Sequence, residues 1–321
     1  MAFLVIIHLT QPPEEPMDNA DEKVMALGYF DGVHLGHQEV IRTAVTIAHS
    51  KGQKSAVMTF HPHPSVVLKK MTNRSDYLTP SEEKVKLMEE LGVDLLYVVR
   101  FDLAFSQLSP QAFIDRYIIR LNVRHAVAGF DFTYGRMAKG TMETIQQESR
   151  DMFAVTVVPK LMINDQKVST TQIRTLIFSG KVEEAQAYLG RPYHMTGVVV
   201  HGDNRGEAEL GFPTANVKVD DTYVIPDQGI YAVRMNVGNI WLNGMGYIGD
   251  RPTFYKEATA IVIEIHLFGF NQSIYNETVQ VEWYKKLRED ISFTSVDSLI
   301  EQMHRDKQDT LAFFEDIQES F

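Results

Sequence analysis

A chain of 321 residues is long enough for two ordinary domains at about 100–200 residues each. Its 44% hydrophobic and 23% charged residues are those of a globular protein and exclude a disordered or fibrous one. A net charge of -11 excludes a broad basic surface for nucleic acid, and the absence of cysteine excludes disulfides, thiolate nucleophiles and Cys-ligated zinc together and fits a reducing cytoplasm.

The apolar run Phe3 to Ile7 reads as an opening strand. It has no basic residues ahead of it and an acidic, Pro-containing stretch, Gln11 to Glu22, behind it, unlike a secretion signal. No segment approaches the ~20 apolar residues needed to span a bilayer, so a soluble protein with no membrane partner is expected. From residue 24 to 190, short apolar runs alternate with helical segments, the pattern of a doubly wound α/β sheet. Val24 to Leu27, Ser55 to Phe60, Asp94 to Val99, His125 to Gly129 and Ala154 to Pro159 read as strands. Thr79-Pro80 with Glu82 predicts an N-cap, a first-turn proline and a capping-box carboxylate, and Gly92 the end of that helix. Ser109-Pro110 opens another helix in the same way. A further helix runs from about Thr171 to Ser179-Gly180, and one more over Val182 to Leu189.

The stretch Gly28-Tyr29-Phe30-Asp31-Gly32-Val33-His34-Leu35-Gly36-His37 follows the first sheet strand and runs into a helix. A helix N-terminus presents unpaired N–H groups and partial positive charge, a setting for an anion. His34 and His37 are three apart, so both imidazoles fall on one side of the first turn. Gly32 and Gly36 let a ligand or the backbone approach closely. Histidines at this spacing also occur as ordinary surface or cap residues. No GxxxxGK[ST] occurs and no GxGxxG lies at this strand-to-helix turn, so the usual kinase and dinucleotide grips are excluded here, and a zinc site lacks a defined third ligand.

After Gly190-Arg191-Pro192 the rhythm changes to short β-rich runs broken by Gly, Pro, Asn and Asp. This places a domain boundary there, dividing 1–190 from 191–321. In Ile261 to Phe268, Ile261, Ile263, Ile265 and Leu267 share one face while Glu264 and His266 share the other, as in an antiparallel sheet or small barrel. An amphipathic, acidic helix from about Ser295 to Asp316 closes the chain.

The segment FDGVHLGH resembles the signature of the bacterial bifunctional riboflavin kinase and FMN adenylyltransferase family, a branch of the HxGH nucleotidyltransferases. Further segments match in order: Thr59-Phe60-His61-Pro62-His63-Pro64, the Phe101 to Pro110 run, Gly129-Phe130-Asp131-Phe132-Thr133-Tyr134-Gly135 and Ser169-Thr170-Thr171-Gln172-Ile173-Arg174. The resemblance implies a Rossmann-like nucleotidyltransferase domain that transfers AMP from ATP to FMN, giving FAD and pyrophosphate. A phosphate oxygen of FMN attacks the α-phosphorus without a covalent intermediate, so positioning and charge stabilisation supply most of the catalysis. It implies that His34 and His37 contact the ATP phosphates, that Gly28, Phe30, Asp31, Gly32 and Gly36 shape the ATP loop, and that Ser169, Thr170 and Arg174 hold the departing pyrophosphate. The rigid, Pro-flanked loop at Phe60, Pro62, His63 and Pro64 forms a wall of the FMN mouth, with Asp131 and Phe132 beside it. A buried aromatic cluster is the competing reading of Phe132 and Tyr134.

Gly211-Phe212-Pro213-Thr214-Ala215-Asn216 resembles the motif of riboflavin kinases, a small antiparallel β-barrel. There the resemblance implies that Thr214 and Asn216 supply oxygens to Mg²⁺, the cofactor, on ATP, and that Glu264 takes the proton from the ribityl hydroxyl of riboflavin. Three features of this half depart from the family pattern: the loop Gly202 to Gly211 is one residue longer and gains two carboxylates, Tyr247 stands where an Asn is common, and Gly269 replaces a frequent Asp. In the better-kept first half the main exception is Tyr29 in place of a usual Asn. Carboxylates facing a polyphosphate repel it. Two readings of this half therefore stand open, a riboflavin kinase or a non-catalytic flavin-binding regulatory barrel. A nucleotidyltransferase with another acceptor is the third alternative. Oligomeric state is not legible.

Overall fold

Runs of Val, Ala, Met and Leu, apolar on both faces, build a parallel sheet at the centre of the first half of the chain. The structure, a computed structural model, describes residues 3–13, 21–68, 77–202, 211–220, 222–251 and 260–319. Six strands, β1 (Val5–Leu9), β2 (Lys23–Leu27), β3 (Lys54–His61), β4 (Leu95–Arg100), β5 (Val123–Gly129) and β8 (Ala154–Val158), lie in the order β1-β4-β3-β2-β5-β8. Every neighbouring pair is parallel. All five residues of β2 are buried, as a central strand covered on both sides requires.

Alternation along the strands sorts two cores. Met25, Leu27, Met58, Tyr97 and Ala126 face a layer holding Phe113, Tyr117 and Ile145. Val24, Ala26, Val57 and Val127 face α1 (Leu35–Lys51) and α3 (Ser81–Glu90). Val40, Ile41, Ala44 and Ala48 form the buried stripe of α1, the 3.6-residue period of an amphipathic helix. Gly52 ends it in the left-handed region at φ 63° and returns its N–H to Ala48 and His49, a glycine C-cap.

Short helices α2 (Pro64–Val67), α4 (Leu103–Ser106), α5 (Pro110–Phe113) and α6 (Ile145–Glu148) fill the connections. Ser109 caps α5 by accepting from the Ala112 amide, as expected, and the helix continues as a π segment, Ile114–Ile119. Small hairpins β6 (Thr133–Tyr134) with β7 (Gly140–Thr141), and β9 (Met162–Ile163) with β10 (Gln166–Lys167), complete this half.

One expected cap is corrected. Pro80, not Thr79, occupies the N-cap of α3 and makes no side-chain bond there. The Thr79 amide, next to the cap, donates to Asp31 Oδ1 at 3.0 Å, a long-range contact that fixes the loop to the start of α3.

Helices α7 (Thr170–Phe178) and α8 (Val182–Leu189) precede six antiparallel strands: β11 (Tyr193–Val200), β12 (Ala215–Val219), β13 (Gly229–Val237), β14 (Ile240–Arg251), β15 (Ala260–Leu267) and β16 (Thr278–Arg288). They close a barrel in the order β11-β12-β15-β14-β13-β16. Ile263, Ile265 and Leu267 of β15 are buried, whereas Ile261 at its start is exposed. His266, on the other face, is buried as well, packed edge-on against Phe212 and Phe268. That face is therefore not simply solvated. Helix α9 (Val296–Glu319) packs on β13, β14 and β16.

The compact units are Met1–Thr170 and Thr171–Phe321, so α8 falls in the second. The reason is packing. Val182, Ala185 and Leu189 of α8 are buried, and α8 lies against β11 and β16.

Candidate active site

In the sheet, β3 and β4 extend to one side of β2 and β5 and β8 to the other. The chain thus reverses direction across the sheet beside β2, and in such folds ligands bind outside the carboxyl ends of the strands at that point. Residues 28–34 occupy this place, between the end of β2 and the start of α1.

The loop is tightly wound. Phe30 (φ 56°), Gly32 (φ 82°) and Val33 (φ 40°) all lie at positive φ. For a β-branched residue such as Val33 that conformation is strained by about 1–3 kcal/mol and persists only where the surroundings impose it. Phe30 and Val33 are both buried and anchor the loop in the core. A side chain at Gly28 would meet the Phe30 ring at 2.7 Å, so Gly28 gives Phe30 its berth.

His34 caps α1, its Nδ1 accepting from the His37 amide at 3.1 Å. A neutral His34 must then carry its proton on Nε2, as a donor. The His37 ring stacks on His34 with centroids 3.6 Å apart and planes inclined by 18°. A Cβ at Gly36 would lie 3.3 Å from the His34 ring, so the glycine between the histidines leaves that ring its room. Burial, the neighbouring His34 and then Lys84 hold His37 well below the ordinary histidine range. His37 is therefore neutral at pH 7 until an anion arrives to favour its charged form.

Asp31 does not face the phosphate site as a free carboxylate. It is buried and bonded to the Thr79 amide. Its carbonyl accepts from Thr170 Oγ1 at 3.1 Å, which brings the Ser169-Thr170 segment to the His34 loop. Arg174 lies one helical turn beyond Thr170 in α7, on the second unit.

The residues expected around FMN gather at the ends of β3 and β5. His63 caps α2 by accepting from the Ser65 amide and meets Tyr29 edge-on at 4.3 Å. Pro64 opens α2, and Pro62 follows a cis peptide bond. Phe60 contacts Phe105 at 5.5 Å, and Phe132 stacks on Tyr134 at 6.0 Å. Tyr134 is core, whereas Phe132 is only partly buried against it. Asp131 is paired with Lys167 at 2.6 Å, and the same ammonium lies 4.7 Å from the Phe130 ring.

Two lysines were missed from the sequence. Lys167 left no local signal. Lys84 did: it falls at the spacing of Leu87, Met88 and Leu91, on the apolar stripe of α3, where a charge demands a buried partner.

In the barrel, Asn216 stands opposite Glu264 on β15, and Glu264 opposite Tyr247 on β14. The three form one row across three strands. A Cβ at Gly202 would fall 2.2 Å from the Asn216 amide nitrogen, so Gly202 leaves that amide its room. Thr214 is partly buried one residue before β12, and the neighbouring Pro213 carbonyl is bonded to His266 Nδ1 at 2.8 Å. Tyr247 reaches Asp290 at 3.2 Å, and burial with that carboxylate pushes its phenol up to about 12. Gly269 lies at φ 67° with open space beside it. The acidic insertion, residues 203–210, lies outside the described residues. Among the described residues no group of three or more His, Cys, Asp or Glu is arranged to hold a metal. Thr214 and Asn216 are instead neutral oxygen donors of the kind that hard cations accept.

Comparison with known proteins agrees with this geometry. The family model for FAD synthetase matches residues 17–172, and that for riboflavin kinase residues 189–314. A bifunctional riboflavin kinase/FMN adenylyltransferase of Bacillus subtilis is 48% identical, over 97% of this chain and 98% of its own. Its counterpart in Listeria monocytogenes is 48% identical, over 91% and 92%, and that of Escherichia coli 32%, over 96% of each. A crystal structure described as a macrolide-efflux protein from Streptococcus pneumoniae is 33% identical, with a TM-score of 0.88, covering 95% of this chain and 98% of that one. Among the described residues no helix is long and apolar enough to cross a membrane. On both of its units and nearly its full length, this chain belongs to the family of bifunctional riboflavin kinase/FMN adenylyltransferases.

Proposed function

We propose that residues 1–190 join FMN to the AMP part of ATP, releasing pyrophosphate, and that residues 191–321 phosphorylate riboflavin with ATP to give FMN and ADP. The observation that carries the first assignment is the stacked His34–His37 pair at the N-terminus of α1, with Thr170 tied to the same loop. Imidazoles, loop amides and helix dipole all favour negative charge at one place. In this reading the triphosphate lies against His34 and His37, which stabilise charge as the α-phosphorus is attacked. Ser169, Thr170 and Arg174 hold the leaving pyrophosphate, with Arg174 a fork suited to phosphate oxygens. The aromatic wall of Phe60, Pro62, His63, Pro64 and Phe132 takes the flavin ring, and Asp131 with Lys167 borders it.

In the barrel, Thr214 and Asn216 would hold Mg²⁺, which neutralises phosphate charge when bound. Glu264, in register with Asn216, accepts the proton of the attacking hydroxyl. The relatives favour this kinase reading over a barrel without turnover and over a different acceptor. Because no cysteine is present, a reducing cytoplasm suits the chain.

The test is a pair of assays with product identification. The full chain with Mg²⁺, ATP and FMN is expected to yield FAD and pyrophosphate, and with riboflavin in place of FMN it is expected to yield FMN and ADP. A chain inert toward FMN sinks the first assignment; one inert toward riboflavin sinks the second.

A further inference from the structure

Lys84 is a buried lysine that no step above uses. It lies beneath the 28–34 loop, on the side formed by α3 and β3. Its ammonium donates to the Tyr29 carbonyl at 2.9 Å and to Thr59 Oγ1 at 3.3 Å, and it sits 4.5 Å from the centre of the Tyr29 ring. Thr59 donates to the same Tyr29 carbonyl at 2.8 Å. One peptide at the entrance of the loop is thus clamped from two elements, with the Tyr29 ring beside the ammonium.

Burying a cation costs several kcal/mol unless charge and hydrogen bonds offset it. A clamp on one carbonyl needs no charge, since a neutral donor serves as well. A positive charge does serve a polyanion bound on the other side of the loop, in a setting where water screens it poorly. The groups around Lys84 fit that purpose. Asp31 in the loop is the acidic group that holds its charge, and Asp31 is fixed by Thr79. His37 on α1 and His61 at the end of β3 both feel the ammonium as a neighbouring positive charge. On its own helix Glu83 is paired with Lys86 at 3.5 Å.

We propose that Lys84 is a positioning residue of adenylyl transfer, its buried ammonium both fixing the Tyr29 peptide and placing a positive charge beneath the triphosphate beside His37. This rests on the ATP site proposed above. Burial lowers Lys84 to about 8, so the charge is full only well below that pH and is lost as pH rises through it. ATP affinity should fall over the same interval.

The test compares the full chain with Lys84→Met and Lys84→Arg, measuring KM for ATP, KM for FMN and kcat separately, and ATP binding by calorimetry between pH 6.5 and about 9.5. Lys84→Met is expected to weaken ATP by about tenfold or more while moving KM for FMN less than about twofold. Lys84→Arg should recover most of the loss and abolish the alkaline fall seen in the unaltered chain, because a guanidinium does not titrate there. Unchanged ATP affinity in Lys84→Met overturns the proposal, as does an alkaline fall that persists in Lys84→Arg. Should Lys84→Met not fold, the pH profiles of the unaltered chain and Lys84→Arg decide alone. If the unaltered chain forms no FAD, the functional reading fails, and the calorimetric comparison still judges Lys84.

Discussion

The chemistry of the first unit rests on two imidazoles whose planes are 18° apart, and the stack explains their charge state. Two cations at 3.6 Å repel, and His37 is held low by burial and by that neighbour. The sign is fixed: His37 is neutral at pH 7 in the free protein, and a bound triphosphate raises its affinity for a proton. ATP binding near pH 7 is therefore expected to take up protons, measurable by calorimetry in buffers of different ionisation enthalpy, and His37→Ala should diminish that uptake. His34→Ala and His37→Ala should each slow FAD formation by about a hundredfold or more, and unchanged turnover in both would remove the mechanism. Gly36→Ala, which brings a methyl to 3.3 Å from the His34 ring, should cost about tenfold by misplacing the imidazole, with little loss of stability. The motif itself was legible because its parts are adjacent in sequence. Lys167 was not, since what makes it significant is the carboxylate and ring opposite; Lys84 shows in the sequence only as a charge on an apolar stripe, and the carbonyl that it clamps comes from a distant segment.

Most helices and strands followed from local pattern, and their failures are local too. Gly52, Gly92, Gly180 and Gly190 end or follow helices in left-handed conformations that cost glycine no Cβ clash. The N-cap of α3 falls on Pro80, one residue after the expected Thr79, while the Thr79 amide is bonded to Asp31, 48 residues away. His266 was placed on a polar face by alternation, yet it is buried and bonded to the Pro213 carbonyl. Helix α9 is fixed to β16 by Arg288, which grips Asp306 with two bonds of 2.9 and 2.7 Å. Asp306 is almost fully buried, so Asp306→Ala leaves the Arg288 guanidinium without its carboxylate and should destabilise the second unit by about 3 kcal/mol in denaturant unfolding. An effect below about 0.5 kcal/mol would show that α9 is held by its apolar contacts alone.

Across the whole chain the two sites should be separable. Glu264→Ala is expected to abolish FMN formation from riboflavin and to spare FAD formation from added FMN, while His34→Ala does the reverse; product analysis on the same preparations checks both. Loss of both activities in either variant would mean that the units do not work independently. The sequence by itself determined the two fold types, the strand and helix periods, and the phosphate loop, because each is written in residues a few positions apart. Only the tertiary structure decided the rest: where the units part, which carbonyl Lys84 clamps, how Thr170 meets the His34 loop, and the row of Asn216, Glu264 and Tyr247. Those depend on strand order and register, which bring together residues tens of positions apart, and no local pattern specifies such a pairing.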